Sequence, residues 1–446
     1  MIYDPVKIQV DGFDLKTAEE KFKVERDMVR KFLDLSLIPP EINTSPSPEY
    51  SDKNLIDSHC AGIERTENGR LWCVFNVSED GPSKFFVLVY SDDDGETWSD
   101  TKIVINNHSQ YIPVSRAVEC SCIWKDPLNR FWIFFNQMLN GCDGRFGVWV
   151  SCCSNPDEEN PKWSFPKRIW HGVACNKPIV LSTGEWMLAI DLYPEEKPGG
   201  PYNMGGWVNK MIFPGMHTND TSIIIEKKIP VIPLNAPWVW GLFPELEPYR
   251  GTNIFISKDQ GATWAWQSVI KIPEHLNPDQ VAESMIVEKK DKSLWFMGRT
   301  MGNIVESFST DRGITWSSPI EQKHITHPRA RFHLRRLSSG RILLIKHGET
   351  INNYDPQYNG RNQLSAWLSE DEGISWKGGL MLDERFHVSY PDATQSLDGT
   401  IYTVNDWDRG KLGQIVLSGI TEEDILAGKL VSSSSKLKIV IRPRWV

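Results

Sequence analysis

The amino-acid sequence predicts an all-β protein, a six-bladed β-propeller with a short N-terminal helical extension and an insertion in the third blade. Three observations support this fold class. An eight-residue turn motif occurs four times, and a β-rich run that follows a turn occurs six times. The chain has 446 residues, 40% of them hydrophobic, and can therefore bury a large core. All-β architectures of more than about 200 residues commonly form a single domain.

Residues 1–50 are predicted to be a helical extension and linker, placed before a propeller that spans residues 51–446. The stretch LKTAEEKFKVERDMVRKFLDL, from Leu15 to Leu35, has apolar residues at helical spacing. The proline-rich stretch IPPEINTSPSPEY, from Ile38 to Tyr50, is typical of a linker.

The blades themselves are predicted from the six β-rich runs. These are NGRLWCVF, LNRFWIFF, TGEWMLAI, DKSLWFMG, SGRILLIK and DGTIYTVN. Each run is followed by a second strand, such as FFVLVYS or QLSAWLS, so that the repeating unit is a small antiparallel sheet. Repeats of this length with short strands are typical of propeller blades.

The turn motif S-x-D-x-G-x-[TS]-W, here called the Asp box, begins at Ser91, Ser257, Ser309 and Ser369, with a degenerate copy from Ser151. Its glycine permits a turn at positive φ, and its Asp and Ser can accept hydrogen bonds from turn amides. The box is therefore predicted to be structural, and its aspartates are not catalytic candidates.

The third blade is interrupted between about residues 192 and 250. The aromatic residues of this insertion include Tyr202, Trp207, Trp238, Trp240 and Phe243. Long insertions in propellers tend to cover one face, where aromatic rings could stack on a sugar; packing of the rings on one another is the competing interpretation.

Composition excludes several classes of partner. The net charge of -9 argues against nucleic acid and anionic membranes, which require a strongly basic face. No apolar run reaches the roughly 20 residues of a membrane helix. The N-terminus lacks the pattern of a signal peptide, so both a cytoplasmic protein and a secreted one with its signal removed fit the sequence.

Cysteine and histidine spacing predicts no metal and no cofactor. All eight cysteines lie before residue 176, and their C-x-C and C-C spacings differ from the paired C-x2-C of zinc sites. Reduced thiols in the core are expected instead. The ten histidines show no spacing typical of a catalytic metal.

The Asp boxes and the strand starts together resemble the sialidase (neuraminidase) superfamily of BNR-repeat propellers, over roughly residues 55–420. In that family a Glu at the start of a blade strand and an Arg at its end flank a characteristic pattern. The stretch AESMIVEKKDKSLWFMGR supplies Glu283 and Arg299 at the same separation. The resemblance implies that Glu283 polarises a tyrosine nucleophile and that Arg299 binds a substrate carboxylate. A rim salt bridge is the alternative role for the pair.

Three further residues match the family pattern. Arg361, in GRNQLSAWLSEDEGISW, corresponds to another carboxylate ligand, and Tyr390, in HVSYPDATQSLDGTIYTV, corresponds to the nucleophile. Asp80, in FNVSEDGPSKFFVLVYS, corresponds to the general acid and has Glu79 as its neighbour. For Tyr390, the alternative is a buried core tyrosine.

One position departs from the family pattern. Where the family has its first arginine, SHCAGIERTENGRLW places His59. His59 is a candidate substrate-binding residue, because a protonated His can bind a carboxylate, but it lacks the planar fork of a guanidinium and its charge depends on pH. The departure puts N-acetylneuraminic acid itself in doubt as the substrate. Arg331 is a further candidate for binding the substrate. Arg116, Glu119 and Asp191 could line the mouth of the same predicted pocket, judged only from their positions next to the predicted inner strands.

The resemblance implies an exo-acting, retaining glycosidase that releases sialic acid or a related acidic keto-sugar from a glycan. Sialidases use a neutral tyrosine because an anionic nucleophile would be repelled by the substrate carboxylate. Two alternatives stay open. One is a lyase, or another glycosidase, acting on uronic-acid glycans, with His59 and Tyr390 as base and acid in the lyase. The other is a propeller that binds glycans without catalysis.

Overall fold

The protein is almost entirely β-structure, arranged in six sheets around one axis. The computed structural model describes residues 30, 34–51, 57–78, 84–106, 117–138, 146–192, 243–279, 281–409 and 411–442. Each sheet is antiparallel and built from strands that are consecutive in the chain. The six-bladed propeller predicted from the repeats is therefore confirmed.

The first three blades contain strands β1–β13. Blade one is formed by β2 (Asp57–Arg65), β3 (Leu71–Ser78), β4 (Lys84–Ser91) and β5 (Ile103–Asn106), with β1 (Glu41–Asn43) outside β5. Blade two is formed by β6 (Ala117–Lys125), β7 (Phe131–Met138), β8 (Gly147–Cys153) and β9 (Lys167–His171). Blade three is formed by β10 (Ile179–Val180), β11 (Trp186–Leu192), β12 (Gly251–Ser257) and β13 (Ala265–Ile270).

The remaining blades contain strands β14–β25. Blade four is formed by β14 (Met285–Glu288), β15 (Leu294–Arg299), β16 (Ile304–Ser309) and β17 (Ile320–Glu321). Blade five is formed by β18 (His333–Arg336), β19 (Ile342–His347), β20 (Leu364–Ser369) and β21 (Lys377–Asp383). Blade six is formed by β22 (Val388–Gln395), β23 (Ile401–Trp407), β24 (Gln414–Ile420) and β25 (Lys436–Arg442).

Helical structure in the described residues is short. Helix α1 (Glu422–Ala427) connects β24 to β25, and its first turn is capped by reciprocal hydrogen bonds between Thr421 and Asp424. Five 3-10 turns lie at Asp34–Leu37, Pro48–Tyr50, Pro244–Tyr249, Glu274–Leu276 and Gln357–Gly360. No helix among these residues is long and apolar enough to cross a membrane.

The Asp boxes have the structural role predicted for them. In the box of blade four, the Gly313 amide donates to Oγ of Ser309 (2.8 Å), and the Thr315 amide donates to Oδ1 of Asp311 (2.9 Å). Gly313 has φ +81°, and the Trp316 indole donates to its carbonyl at 3.2 Å. The same amide-to-Ser and amide-to-Asp bonds recur in the other three boxes. Each box therefore fixes the turn after its third strand.

The hydrophobic core lies between neighbouring blades. Buried side chains form clusters that join blade one to two, two to three, three to four, four to five and five to six. A further cluster joins blade one to blade six through residues such as Phe75 and Val404, so packing closes the ring. Because fully burying one large apolar side chain contributes roughly 2 kcal/mol, this ring of clusters holds the blades rigidly around the axis.

Near the axis, charged side chains from different blades pair with each other. Lys177, which precedes β10, lies 3.3 Å from Glu64 on β2 and 3.2 Å from Asp392 on β22. Burial opposes ionisation, yet Lys177, His333 and Arg331 hold the pKa of Asp392 well below its ordinary value. Buried charges persist only when they are paired in this way. The network ties blades one, three, five and six together beneath the site described below.

The predicted extension and insertion are described only in part. Residues 1–29, 31–33 and 193–242 lie outside the described residues, and with them most of the predicted helix and most of the insertion. Within the predicted linker, β1 pairs with β5 and widens blade one, so this segment is not wholly irregular. Arg30 contacts Phe243 and forms an ion pair with Glu245 at 2.5 Å.

Five cysteines are described with their side chains, and all of them are free thiols. Cys73, Cys122, Cys153 and Cys175 are buried, and Cys152 is half-buried. Burial raises the pKa of the Cys122 thiol to about 12. The prediction of reduced core thiols therefore holds for this part of the chain.

Candidate active site

The first strands of blades one, two and six, β2, β6 and β22, each contain a β-bulge near their start. The register of β2 against β3 shifts between His59 and Gly62, and that of β6 against β7 shifts between Glu119 and Cys122. The pairing of β22 with β23 shifts between Ser389 and Asp392. Each shift adds one residue to the inner strand, and a bulge of this kind re-aims a side chain. In blade six, Tyr390 lies within the bulge.

Tyr390 and Glu283 form the central pair of the site. The Tyr390 hydroxyl donates a hydrogen bond to Oε1 of Glu283 at 2.6 Å. Both residues have left-handed backbones, with φ of 52° for Tyr390 and 44° for Glu283. Both are buried, at 9% and 2% exposure. The carboxylate is thus placed to accept the phenolic proton, as a general base must be.

Arg299, at the end of β15, holds the second carboxylate oxygen of Glu283, the one that Tyr390 does not contact. Its Nη1 donates to Oε2 of Glu283 at 2.7 Å, and its Nε lies 3.0 Å from Oδ2 of Asp279. Although burial opposes the charged form, Glu283, Tyr390 and Asp279 raise the pKa of Arg299 above its ordinary value. The guanidinium therefore stays charged and holds the Glu283 carboxylate in one orientation.

Arg361, which directly follows a 3-10 turn, carries an uncompensated charge. Its Nη1 donates to Oγ of Ser389 (2.6 Å), and its Nη2 donates to the carbonyl oxygen of Arg329 (3.1 Å). Both acceptors are neutral, and no described carboxylate lies within ion-pair distance of Arg361. The guanidinium centre lies 5.9 Å from the Tyr390 ring. An anion bound beside Tyr390 would neutralise this charge.

These residues line a cleft of about 550 Å³. Its polar lining includes Arg299, Arg329, Arg361, Tyr390, Tyr354 and Asn359. The volume lies within the range of small-ligand sites. Three guanidinium groups and no carboxylate line it among the described residues, so the electrostatics of this lining favour an anion.

Four of the residues predicted from the sequence come together here. Tyr390, Glu283, Arg299 and Arg361 lie in one connected group of contacts, contributed by blades four, five and six. Asp80, the predicted general acid, falls with Glu79 outside the described residues, as does Arg116.

Three other candidates, Arg331, His59 and Asp191, do not line the cleft as the structure describes it. Arg331 is 1% exposed, and its Nε donates to Oδ1 of Asn176 at 2.8 Å, so it lies behind the site. Its guanidinium centre is 6.0 Å from the Tyr390 ring. His59 is buried on β2 opposite Asn76. Asp191 is buried on β11, where it accepts hydrogen bonds. Glu119 lies at the start of the bulge in β6.

Three residues of the site were not predicted. Arg329 lines the cleft, Asp279 binds both Arg329 and Arg299, and the guanidinium of Arg409 lies 4.4 Å from the Tyr390 ring centre. Arg329 stands two residues before Arg331 in the stretch HPRARF, so that stretch carried a signal for it, although the sequence analysis selected Arg331. No comparable signal marks Asp279.

Among the residues with described side chains, no three or more His, Cys, Asp or Glu residues are grouped so as to hold a metal ion.

The chain is similar to known propellers of the sialidase type. Residues 228–403 match the family model of a BNR repeat-like domain. A Hadza microbial sialidase shares 14% sequence identity with a TM-score of 0.54, over 79% of this chain and 64% of that one. This chain thus spans less than two-thirds of that sialidase. No curated protein sequence matches the chain.

Other solved structures give the same result. The NanB sialidase from Streptococcus pneumoniae has 12% identity and a TM-score of 0.54, over 83% of this chain and 68% of its own. The intramolecular trans-sialidase from Ruminococcus gnavus has 12% identity and a TM-score of 0.53, over 85% and 97%. At such identities the similarity shows the fold alone. At that level, the predicted resemblance to sialidase-type BNR propellers is confirmed.

Proposed function

We propose that this protein is a retaining exo-glycosidase that releases a terminal sugar acid, a sialic acid or a related acidic keto-sugar, from a glycan. The observation that carries the proposal is the 2.6 Å hydrogen bond from Tyr390 to Glu283 beside an arginine-lined cleft. A nucleophile within hydrogen-bond reach of a base that a third group orients is the usual sign of covalent catalysis. Arg299 is that third group.

The anion selectivity of the cleft supports an acidic sugar. Among the described residues, the three guanidinium groups of Arg299, Arg329 and Arg361 stand beside two carboxylates, those of Asp279 and Glu283, which pair with Arg299 and Arg329, so the described groups carry one more positive than negative charge. A single substrate carboxylate would compensate it, and guanidinium groups bind carboxylates with geometric specificity. A neutral sugar would leave the charge of Arg361 unpaired.

The proposed reaction uses Tyr390, Glu283 and Asp80. The phenolic oxygen of Tyr390 attacks the anomeric carbon while its proton passes to Glu283 and the bond to the leaving oxygen breaks. The leaving oxygen takes a proton from Asp80, which is assigned by the resemblance alone. Asp80 next removes a proton from water, whose oxygen displaces Tyr390 from the anomeric carbon, and Glu283 returns the phenolic proton. Two displacements retain the configuration.

A neutral nucleophile suits a carboxylate-bearing anomeric carbon. An Asp or Glu nucleophile would bring a second negative charge to a centre that already carries one. Tyr390 approaches as a neutral phenol and develops charge only as its proton moves to Glu283. Charged Arg299 stays hydrogen-bonded to Glu283 throughout and limits its movement.

The first experiment incubates the wild-type protein with sialosides and uronic-acid glycans. Released keto-sugar acid and the ultraviolet absorbance of unsaturated uronates are followed in parallel. Free sugar acid without absorbance is the expected result. Ultraviolet absorbance would instead indicate a lyase. Glycan binding with neither released sugar acid nor absorbance would indicate a propeller that binds glycans without catalysis.

The second experiment tests the nucleophile with a matched pair of variants. Tyr390→Phe is expected to lower kcat at least about 1,000-fold, because the attacking oxygen is gone. Tyr402→Phe removes the hydroxyl of a tyrosine on β23 whose bond goes to Asp94, and it should leave kcat unchanged. Circular dichroism checks that both variants are folded. Turnover by Tyr390→Phe at the wild-type rate would refute the assignment.

A further inference from the structure

A third guanidinium group, that of Arg329, lines the cleft beside those of Arg299 and Arg361. We infer that Arg329, held in place by Asp279, is a substrate-binding residue for the carboxylate of the sugar acid, so that blade five completes the anion site. The inference rests on the proposed function and names its specificity determinant. Arg329 precedes β18 and keeps 29% of its side chain exposed while lining the cleft.

Asp279 acts as a shared anchor for two arginines. Its Oδ1 accepts from Nη2 of Arg329 (2.7 Å), and its Oδ2 accepts from Nε of Arg329 (2.7 Å). The same Oδ2 lies 3.0 Å from Nε of Arg299. The Asp279 side chain is fully buried, so solvent does not weaken these bonds. A bidentate pair of this geometry fixes the plane of the Arg329 guanidinium.

The backbone of Arg329 anchors the third arginine. Its carbonyl oxygen accepts the hydrogen bond from Nη2 of Arg361 at 3.1 Å. Arg299, Arg329 and Arg361 are thus joined in a continuous arc, through a carboxylate on one side and a peptide carbonyl on the other. The Tyr390 ring lies beside this arc, 5.9 Å from the guanidinium centre of Arg361.

The arc places the substrate anion on one side of the nucleophile. Its three guanidinium groups come from blades four and five, whereas the His59 side chain in blade one is buried and does not join the described lining. A carboxylate bound here lies toward blade five, next to Tyr390. Asp279 is a positioning residue, because it acts on the ligand only through the two arginines that it holds.

The experiment measures binding of N-acetylneuraminic acid and, in parallel, of its neutral methyl ester by calorimetry. Other free sugar acids are tested with their esters if the first acid does not bind. Arg329→Met is expected to weaken acid binding about 10- to 100-fold and to leave ester binding nearly unchanged. Arg329→Lys should restore part of the affinity, because it keeps the charge and loses the fork. Asp279→Asn should weaken acid binding selectively as well.

Two control variants separate the possible outcomes. Arg312→Met removes an exposed arginine from an Asp box and should leave affinity for both ligands unchanged. Arg361→Met should weaken acid binding whether or not Arg329 takes part. Unchanged acid affinity in Arg329→Met, with a loss in Arg361→Met, would overturn the inference and leave the proposed function standing.

The remaining outcomes of the binding experiment test both the proposed function and the role of Arg329. If the wild-type protein binds no sugar acid, or if Arg361→Met binds acids as well as the wild type, the proposed function fails together with the inference. If Arg329→Met does not fold, the binding measurements on Arg329→Lys and Asp279→Asn test the inference in its place. Equal losses of acid and ester binding in those two variants would show a structural role and overturn the inference.

Discussion

Asp191 provides a test of the electrostatics beneath the site. It lies on β11, 4% exposed, and its Oδ1 accepts hydrogen bonds from Oγ1 of Thr252 (2.6 Å) and Oγ of Ser284 (3.1 Å). Burial raises the pKa of this carboxyl to about 6, against 3.8 in a free aspartate, and the two hydroxyl groups and nearby Glu283 modify the effect. We predict that Asp191→Asn stabilises the protein at neutral pH.

The sign and size follow from proton linkage. Between pH 3.8 and about 6 the unfolded carboxyl has lost its proton and the folded one has kept it. The free energy of unfolding therefore falls as pH rises through this window and is level above it. A difference of about two pH units, at about 1.4 kcal/mol each, amounts to about 3 kcal/mol. An asparagine at position 191 keeps an acceptor oxygen for both hydroxyl groups and carries no buried charge.

The assay is urea unfolding of the wild type and Asp191→Asn from pH 4 to 8. The difference in unfolding free energy should shift by about 3 kcal/mol in favour of the variant, most of it below pH 6. Asp311→Asn is the control: hydrogen bonds from Thr315 lower the pKa of Asp311 to about 2, so its difference from wild type should be level over this range. A level difference for Asp191→Asn would refute the reasoning.

Two further predictions concern the fold. Lys177→Met leaves the buried carboxylates of Glu64 and Asp392 without their shared cation, and it should lower the free energy of unfolding by about 3–5 kcal/mol in urea; a loss under about 1 kcal/mol would contradict the pairing. Gly373→Ala puts a Cβ 2.5 Å from an indole carbon at φ +89°, whereas Gly399→Ala at φ +93° meets nothing within 4 Å. We expect a lower melting temperature for Gly373→Ala than for Gly399→Ala, and equal values would contradict the contact.

Local sequence patterns were sufficient for the blades, whereas the residues of the site were identified through the family resemblance. A box of eight residues fixes a turn by its own hydrogen bonds, so each copy can be recognised without knowing the rest of the fold. Glu283 and Arg299 lie at the start and end of one hairpin, where strand geometry fixes their separation. The pairing of Glu283 with Tyr390, 107 residues later, could be predicted only through the resemblance.

Arg329 of blade five could not be predicted from the alternation of side chains along a strand. In a strand, residues two apart point to the same side, which made Arg331 a reasonable candidate. Regular strand β18 begins only at His333, and the chain before it turns, with the Ala330 amide bonded to the Pro328 carbonyl. Alternation therefore does not apply, and Arg329 rather than Arg331 lines the cleft. Its partner Asp279 lies 50 residues away.

The backbone at the central pair gives an argument independent of these contacts. A left-handed conformation costs a residue other than glycine roughly 1–2 kcal/mol, and four such residues here, Asp94, Gln260, Arg312 and Glu372, occupy the same turn position in the Asp boxes. Glu283 and Tyr390 differ from these because they are buried, Glu283 just before β14 and Tyr390 within the bulge of β22. Two strained residues at one site support the proposed catalytic role of this pair, since a tyrosine that only filled the core would not need such a backbone.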